Sequence, residues 1–555
     1  MSRNSAPGQS FDFYVNSATG SDANDGLTPA TAFETISAAN AILANGVRIG
    51  LARGSEWREQ LGDDLLSYTD VVVGAYGSGA MPILDGSDVA TGWTYDGAYT
   101  NLYSVAWAHD GSVGDFLSVW ENGARLRWVA SQATADATPG SFYAATISGT
   151  PSTIWIHPNG STNPTNNKKT YTASRRKQGL TCGTPAARWT IMDLHTRKSI
   201  SNNGSLQAAA PGSVVRRCLA EDGTKHNMFI GADCIAYDCI AWESDWADRT
   251  NTTAFVAYVT NGIGRTAKFE RCISVMDTAK VTVAVAGADA IEGFYAHTAS
   301  SAQKWDRVDY VDCSAYGATR AFGVLDCTYF YTSRCFADEF RSGIGSGAAT
   351  ADVVDFYAKG TPANTIAPDT GYSHVGGSVT IDGWRSYCGV ASNRGDIYNL
   401  IGSSSSVTLQ RSVVVRASGQ AGFRYLVNGA SASNSVSIQG CIIYAPSINQ
   451  EEVRAIGTLA AENNNYYPSQ LSFRVGGTTY VNFAAYRAAN PALDVNSVVT
   501  NPTLADPANG DFTAGGTLPT NCGLERDPTC QDYTAIPADI EAAKTYLLAM
   551  ALIVL

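Results

Sequence analysis

The sequence predicts an all-β chain whose body is a right-handed single-stranded parallel β-helix. Three observations predict it: a turn-rich composition, a short strand pattern that recurs many times, and one column of residues that ties the copies together. Glycine numbers 53 and tyrosine 27, against only 6 methionines. Apolar runs are short and separated by Asn, Thr, Ser and Gly, the profile of many strands and many turns. At 555 residues, 45% hydrophobic and 16% charged, the chain has material for a large core. A solenoid grows along one axis and does not split at ordinary domain size.

The repeat is apolar, any, apolar, any, any, Cys or a substitute, then a small or apolar residue. Copies are VVRRC from Val214, AKFERC from Ala267, VDYVDC from Val308 and VSIQGC from Val436. Related copies end at Cys239 and Cys335. VTIDGW and VTLQRS put Trp384 and Ser412 in the Cys position. The column is therefore Cys218, Cys239, Cys272, Cys313, Cys335, Trp384, Ser412 and Cys441. Its steps are 21, 33, 41, 22, 49, 28 and 29 residues. The shortest fit one coil of a three-sided helix, and the 49 fits two coils or one coil with a long loop. Alternating apolar positions give each strand an inward and an outward face. The cysteines are expected to stack inside as small hydrophobes. No CxxC pair suggests a metal site, and the spacing of Cys522 and Cys530 does not establish a disulfide.

The ends of such a stack are open edges that need covering. Residues 1–27 read as an N-terminal arm. Residues 28–87 read as a capping helix and the first coils, with Thr28-Pro29 as N-cap and N1 proline. Phe33, Ile36 and Leu43 fall on one face of that helix, and the strand Val47–Leu51 follows. Residues 88–180 break the coil pattern and read as a small antiparallel β insertion. Its turn is Asn122-Gly123, and its five tryptophans (Trp93, Trp107, Trp120, Trp128, Trp155) read mainly as core. Residues 181–465 form the main β-helix and 466–555 a closing region. The apolar run from Tyr546 to Leu555 is too short to span a membrane and reads as a docked segment.

These residues also carry a resemblance. FYVNSATGSDANDGLTPATAFETISAAN, LARGSEWREQL, VVVGAYGSGAMPILDGS and NPTLADPANGDFTAGG resemble the opening, first coils and closing motif of the pectate-lyase-like superfamily of right-handed β-helix proteins. That superfamily includes polysaccharide lyases, glycoside hydrolases, epimerases and phage tailspikes. The resemblance implies the fold, and function has to come from the site.

Charge and motifs narrow the classes. The formal net charge of −12 argues against nucleic acid as a partner. No run approaches the ~18 apolar residues of a membrane span, and Met1 to Ser10 lacks a secretory leader. The protein is expected to be intracellular, released by lysis or exported by another route, and of these a virion tail or an extracellular location fits the fold. There is no Walker A motif, GxSxG elbow or HExxH site.

The candidate chemistry lies just after the column. Glu221 and Asp222 follow Cys218. Glu243 and Asp245 follow Cys239, with Asp248 and Arg249 beyond. Asp277 follows Cys272, and Asp338, Glu339 and Arg341 follow Cys335. If loops leave the same corner of successive coils, these residues form a carboxylate strip with interleaved cations. Glycoside hydrolysis needs two carboxylates ~5.5 Å apart (retaining) or ~6.5–9.5 Å apart (inverting). Coils ~4.8 Å apart supply either. Glu243, Asp338 and Glu339, then Asp245, are the expected catalytic groups. Trp242, Trp246, Arg249, Lys225, His226, His297, Arg341 and His374 are expected to bind substrate, with Trp305 nearby. A lyase would instead use a base such as Lys225, His226 or Arg249. No cofactor is required, although acidic loops offer oxygen ligands of the kind Ca²⁺ takes. The expected function is a tailspike-like, homotrimeric receptor-binding protein. It recognises, and as a depolymerase cleaves, a bacterial surface polysaccharide, alongside other phage tail proteins. The alternatives are a free lyase or hydrolase and a non-catalytic adhesin or structural rod.

Overall fold

The computed structural model describes residues 10–112, 117–144, 152–183, 186, 188–200, 203–223, 225–242, 252–259, 265–276, 291–298, 303–360, 370–388, 395–416, 423–429, 431–444, 451–507, 511–516 and 518–519. They form two compact units, each a stretch of parallel β-helix. The first holds Ser10 to Tyr258 and the strand Ile273–Val275. The second holds the strand Arg265–Glu270 and the described residues from Ile291 on.

In the first unit three sets of parallel strands make the coil. Arg48–Ala52 pairs with Val72–Tyr76, whose first residues pair in turn with Thr190–Met192. Ile83–Asp85 pairs with His195–Arg197, and Leu180–Cys182 with Leu206–Ala208. Strands before the insertion thus stack directly on strands after it. The arm begins the stack, because Phe13–Val15 pairs in parallel with Ile49–Leu51. Thr28-Pro29 opens only the short 3-10 turn Pro29–Thr31. The helix is Ile36–Ala41, capped by Thr35, whose hydroxyl accepts from the Ala38 amide. Thr28 and Pro29 therefore do serve as N-cap and N1, but of a 3-10 turn, and the α-helix starts seven residues after Pro29.

The insertion leaves after Asp85 and folds as two small sheets. One holds Ser87–Val89, Val119–Glu121, Ala124–Arg125 and Tyr171–Ser174; the other contains Tyr103–Trp107, Ser141–Ala144 and Ser152–His157. Pairing is antiparallel except between Arg127–Trp128 and Ser141–Phe142. Asn122 and Gly123 both adopt positive φ, 51° and 84°, as a type I′ turn requires. Trp93, Trp107 and Trp120 are buried.

The second unit settles the long step in the column. Phe356 is the missing rung: the strand ending at Val354 pairs with Ser333 before it and Asp382 after it. Cys335 and Trp384 are therefore two coils apart. Phe356 stacks on Trp384 at 4.6 Å and 17°. Thiols along the column point at carbonyls of the preceding coil, as Cys239 does at Val215 (3.7 Å) and Cys335 at Tyr310 (3.3 Å). Burial pushes the Cys182 thiol up to about 11 and Cys327 up to about 12. Cys182, Cys218, Cys234, Cys239, Cys272, Cys313, Cys327, Cys335 and Cys441 are free and buried. Labelling with a thiol reagent, read by mass spectrometry, is expected to leave Cys182, Cys218, Cys239, Cys313 and Cys335 unmodified until the protein is unfolded.

The residue before each rung turns a corner in left-handed conformation: Asp193, Arg217 and Asp238 in the first unit, Arg271, Asp312, Arg334 and Asp355 in the second. Opposite charges alternate from coil to coil. Arg217 clamps Asp193 through two bonds of 2.7 Å, and Arg334 clamps Asp312 at 2.6 and 2.7 Å. A left-handed Arg costs about 1–2 kcal/mol, and bidentate pairing offsets part of that.

The second unit closes with the helix Phe483–Ala489, capped by Asn482, whose Tyr486 stacks on Phe473 at 4.4 Å. The hairpin Leu504–Asp506 and Asp511–Ala514 lays Phe512 against Tyr357 on an outward face. The apolar terminal run, Cys522 and Cys530 lie outside the described residues.

Candidate functional site

One outward face of the first unit gathers charge. Strands Ile83–Asp85, His195–Arg197, Leu219–Glu221, Ile240–Trp242 and Ile273–Val275 stack in parallel register. Their last residues form a column of Asp85, Arg197, Glu221, Trp242 and Val275. The middle residues Leu84, Thr196, Ala220, Ala241 and Ser274 are buried. Register alone therefore sets Glu221 between a guanidinium and an indole, at steps of ~4.8 Å.

Each side chain is held from behind. His195 Nε2 lies 2.8 Å from Glu221 Oε2, with the His195 side chain 1% exposed and Glu221 15% exposed. His195 Nδ1 is buried without a hydrogen-bond partner. Nε2 is therefore the nitrogen that carries the proton and donates. Arg197 Nε donates to Asp85 Oδ2 at 2.8 Å and Nη2 to Glu56 Oε1 at 3.0 Å. Arg58 adds a longer contact to Glu56, 3.6 Å.

Asp85 is fully buried and accepts from the Ser87 amide and hydroxyl. Burial pushes its carboxyl up, but Arg197, Lys198 and Ser87 outweigh that and hold it below the usual value. A depressed folded value means stability that is present above the ordinary carboxylate range and is lost as pH falls through the folded value. Melting temperature followed against pH is expected to show this acid loss in wild type. Asp85→Asn, less stable at neutral pH, is expected to lack that component.

The corner beside this column carries Lys198 and Asp222, both left-handed, φ 57° and 50°. The insertion reaches in here. Trp120 Nε1 donates to Asp222 Oδ2 at 3.0 Å. Lys198 Nζ and Arg125 Cζ lie 5.0 and 5.6 Å from the Trp120 ring centroid. Burial lowers the Lys198 ammonium from its usual value.

Of the expected residues, the fold brings Trp242 to this face, half-buried beside Glu221. Lys225 sits in the turn after Asp222, and its carbonyl accepts from the Thr253 amide. His226 was expected in a loop. It is instead buried in the strand His226–Ile230. Glu243, Asp245, Trp246, Asp248, Arg249 and Asp277 lie outside the described residues.

In the second unit the expected loop after Cys335 is a strand, Phe336–Val354. Asp338 pairs in register with Tyr316 and Lys359, and Lys359 Nζ is 4.0 Å from its carboxylate. Glu339, Arg341 and His374 are strand residues whose side chains lie outside the described part. His297 is on the strand Ile291–Thr298 and stacks on Tyr295 at 5.4 Å. Trp305 is core, fully buried. Continuous pairing takes the corner after Cys335, where the extra length of that step had suggested a loop.

The sequence reading missed Glu56, Asp85, His195, Arg197 and Lys198. A signal existed. Leu194 is a rung of the same column, and His195 to Lys198 follow it at the offsets at which Leu219 to Asp222 follow Cys218. Among the described residues, no group of three or more His, Cys, Asp or Glu is arranged to hold a metal ion.

No protein-family model matches this chain, and no curated protein matches it. Among solved structures, one described as the complex of XylC with xylose matches with a TM-score of 0.53 and 11% identity, over 89% of this chain and 87% of that one. A glycoside hydrolase matches with a TM-score of 0.48 and 9% identity, over 79% and 97%. A lacto-N-biosidase of family GH136 from Eubacterium ramulus reaches 0.34 and 11%, over 88% and 67%. The first likeness is one of fold. The protein is a parallel β-helix protein, with a charged column on one face of its first unit.

Proposed function

We propose that this protein binds a glycan on the outward face of its first unit and hydrolyses it, with Glu221 as a reacting carboxylate. The observation that carries the reading is Glu221 itself: partly exposed, fixed by the buried His195, and next in register to the half-buried Trp242. An indole face is a platform for a sugar ring, and an oriented carboxylate beside it is a base for water. The sugar in the XylC complex, a chain of similar fold, is in keeping with this reading.

Glu243 is the next residue in sequence after Trp242. It is the proposed acid. Water then loses a proton to Glu221 and bonds to the anomeric carbon. The glycosidic C–O bond breaks and the departing oxygen takes the Glu243 proton. Asp338 and Glu339 of the second unit serve as comparison variants. The proposed substrate is a bacterial surface polysaccharide, met by a trimeric tail protein; light scattering reading one chain would remove the trimer.

The test is incubation with capsule, lipopolysaccharide, alginate and xylan. New reducing ends without an ultraviolet-absorbing unsaturated product mark the hydrolase. An unsaturated product would replace it with a lyase. Binding without cleavage of any of them would make the protein an adhesin.

A further inference from the structure

The second unit holds a separate cluster around Arg320. Its Nη1 donates to Glu292 Oε1 at 2.7 Å, and the Glu292 side chain is 1% exposed while Arg320 is 35% exposed. Its Cζ lies 5.2 Å from the Tyr295 ring centroid, and His297 stacks on Tyr295 at 5.4 Å. Two glycines reserve the room. A Cβ on Gly323 would stand 2.5 Å from the Tyr295 ring and 2.7 Å from Arg320 Cδ. A Cβ on Gly345 would stand 2.8 Å from Arg320 Nε. These glycines occupy one column with Tyr295 on consecutive coils, so Arg320 lies flat along the sheet because two successive side chains are missing beneath it.

A guanidinium held this way loses little freedom on binding. Its charge is already matched by Glu292, and burial beside that carboxylate pushes the Tyr295 phenol up to about 12. A second full negative charge would be a poor guest, whereas a neutral pair of oxygens suits the planar fork.

We infer that Arg320, set by Glu292, Tyr295, Gly323 and Gly345, is the centre of a second sugar-binding site, and that it takes adjacent hydroxyls of a neutral glycan with Tyr295 and His297 beside them. The inference rests on the glycan reading and adds a site on the other unit. It gives the chain a means of holding a polymer apart from the place where it is cut.

Affinity electrophoresis of the full chain through gels containing xylan, mannan or β-glucan tests it. Wild type and Glu221→Gln are expected to be retarded by at least one of these. Arg320→Lys keeps the charge but loses the fork, and Gly345→Ala displaces the flexible guanidinium without a left-handed backbone to strain. Both are expected to weaken retardation about tenfold or more with unchanged melting temperatures. Retardation of both variants equal to wild type would overturn the inference, as would failure of all three neutral polysaccharides to retard wild type. In those cases cleavage lost in Glu221→Gln would still stand. Cleavage intact in Glu221→Gln, with retardation lost in Arg320→Lys, would instead remove the reading of Glu221 and keep this site.

Discussion

Replacing Glu221 by Gln is expected to slow glycan cleavage by about 10²–10⁴-fold, the range for a lost general acid or base. Gln keeps the shape and leaves an oxygen to accept from His195 Nε2, which is 2.8 Å away. The contact with His195 should therefore hold, with a stability change of about 1 kcal/mol or less. Loss of rate with retained binding is the signature of a group that works in the transition state. Glu221→Ala is a poorer probe, because it strands a buried imidazole with neither ring nitrogen paired. Initial rates of reducing-end release, together with melting curves, check the prediction. Asp338→Asn is expected to leave the rate within about twofold on the same scale, since its unit lacks the His195–Glu221 pair.

Replacing Trp384 by Ala is expected to cost about 3–5 kcal/mol. Trp384 is fully buried and stacked face to face on Phe356, which meets Phe322 edge-on at 5.7 Å. Coils stacked at ~4.8 Å cannot close over a missing indole without breaking register. The vacated volume therefore remains as a cavity. Trp384→Phe keeps a ring in the stack and is expected to cost less, about 1–3 kcal/mol, the aromatic stacking being retained. Midpoints of urea unfolding for the two variants give the comparison.

The fold was legible because its period is carried by buried residues. Cys218, Cys239 and Cys272 of the first unit, and Cys313, Cys335, Trp384, Ser412 and Cys441 of the second, are inner residues of their coils, and every one is buried. Small shapes that must stack leave a strong trace. The rungs that escaped notice, Leu194 and Phe356, are ordinary apolar residues and carry no such label. The sequence holds a second trace: Arg, Asp and Gly fill the position before each rung because the corner demands positive φ. The charged face was only half legible. Glu221, Asp222 and Trp242 lie at fixed offsets from cysteines, so the column pointed to them. Asp85 and Glu56 precede an insertion of two sheets, and nothing local shows that parallel pairing rejoins them to Arg197 across it. The part of Trp120 in this corner is equally hidden, since its contact with Asp222 is made over 102 positions of chain.

Hydrogen exchange with and without a bound oligosaccharide, in the Glu221→Gln variant to prevent turnover, tests the central claim most directly. The account predicts new protection in peptides covering 83–85, 195–198, 219–222 and 240–242. Protection confined to strands of the second unit, with these four segments unchanged, would contradict it.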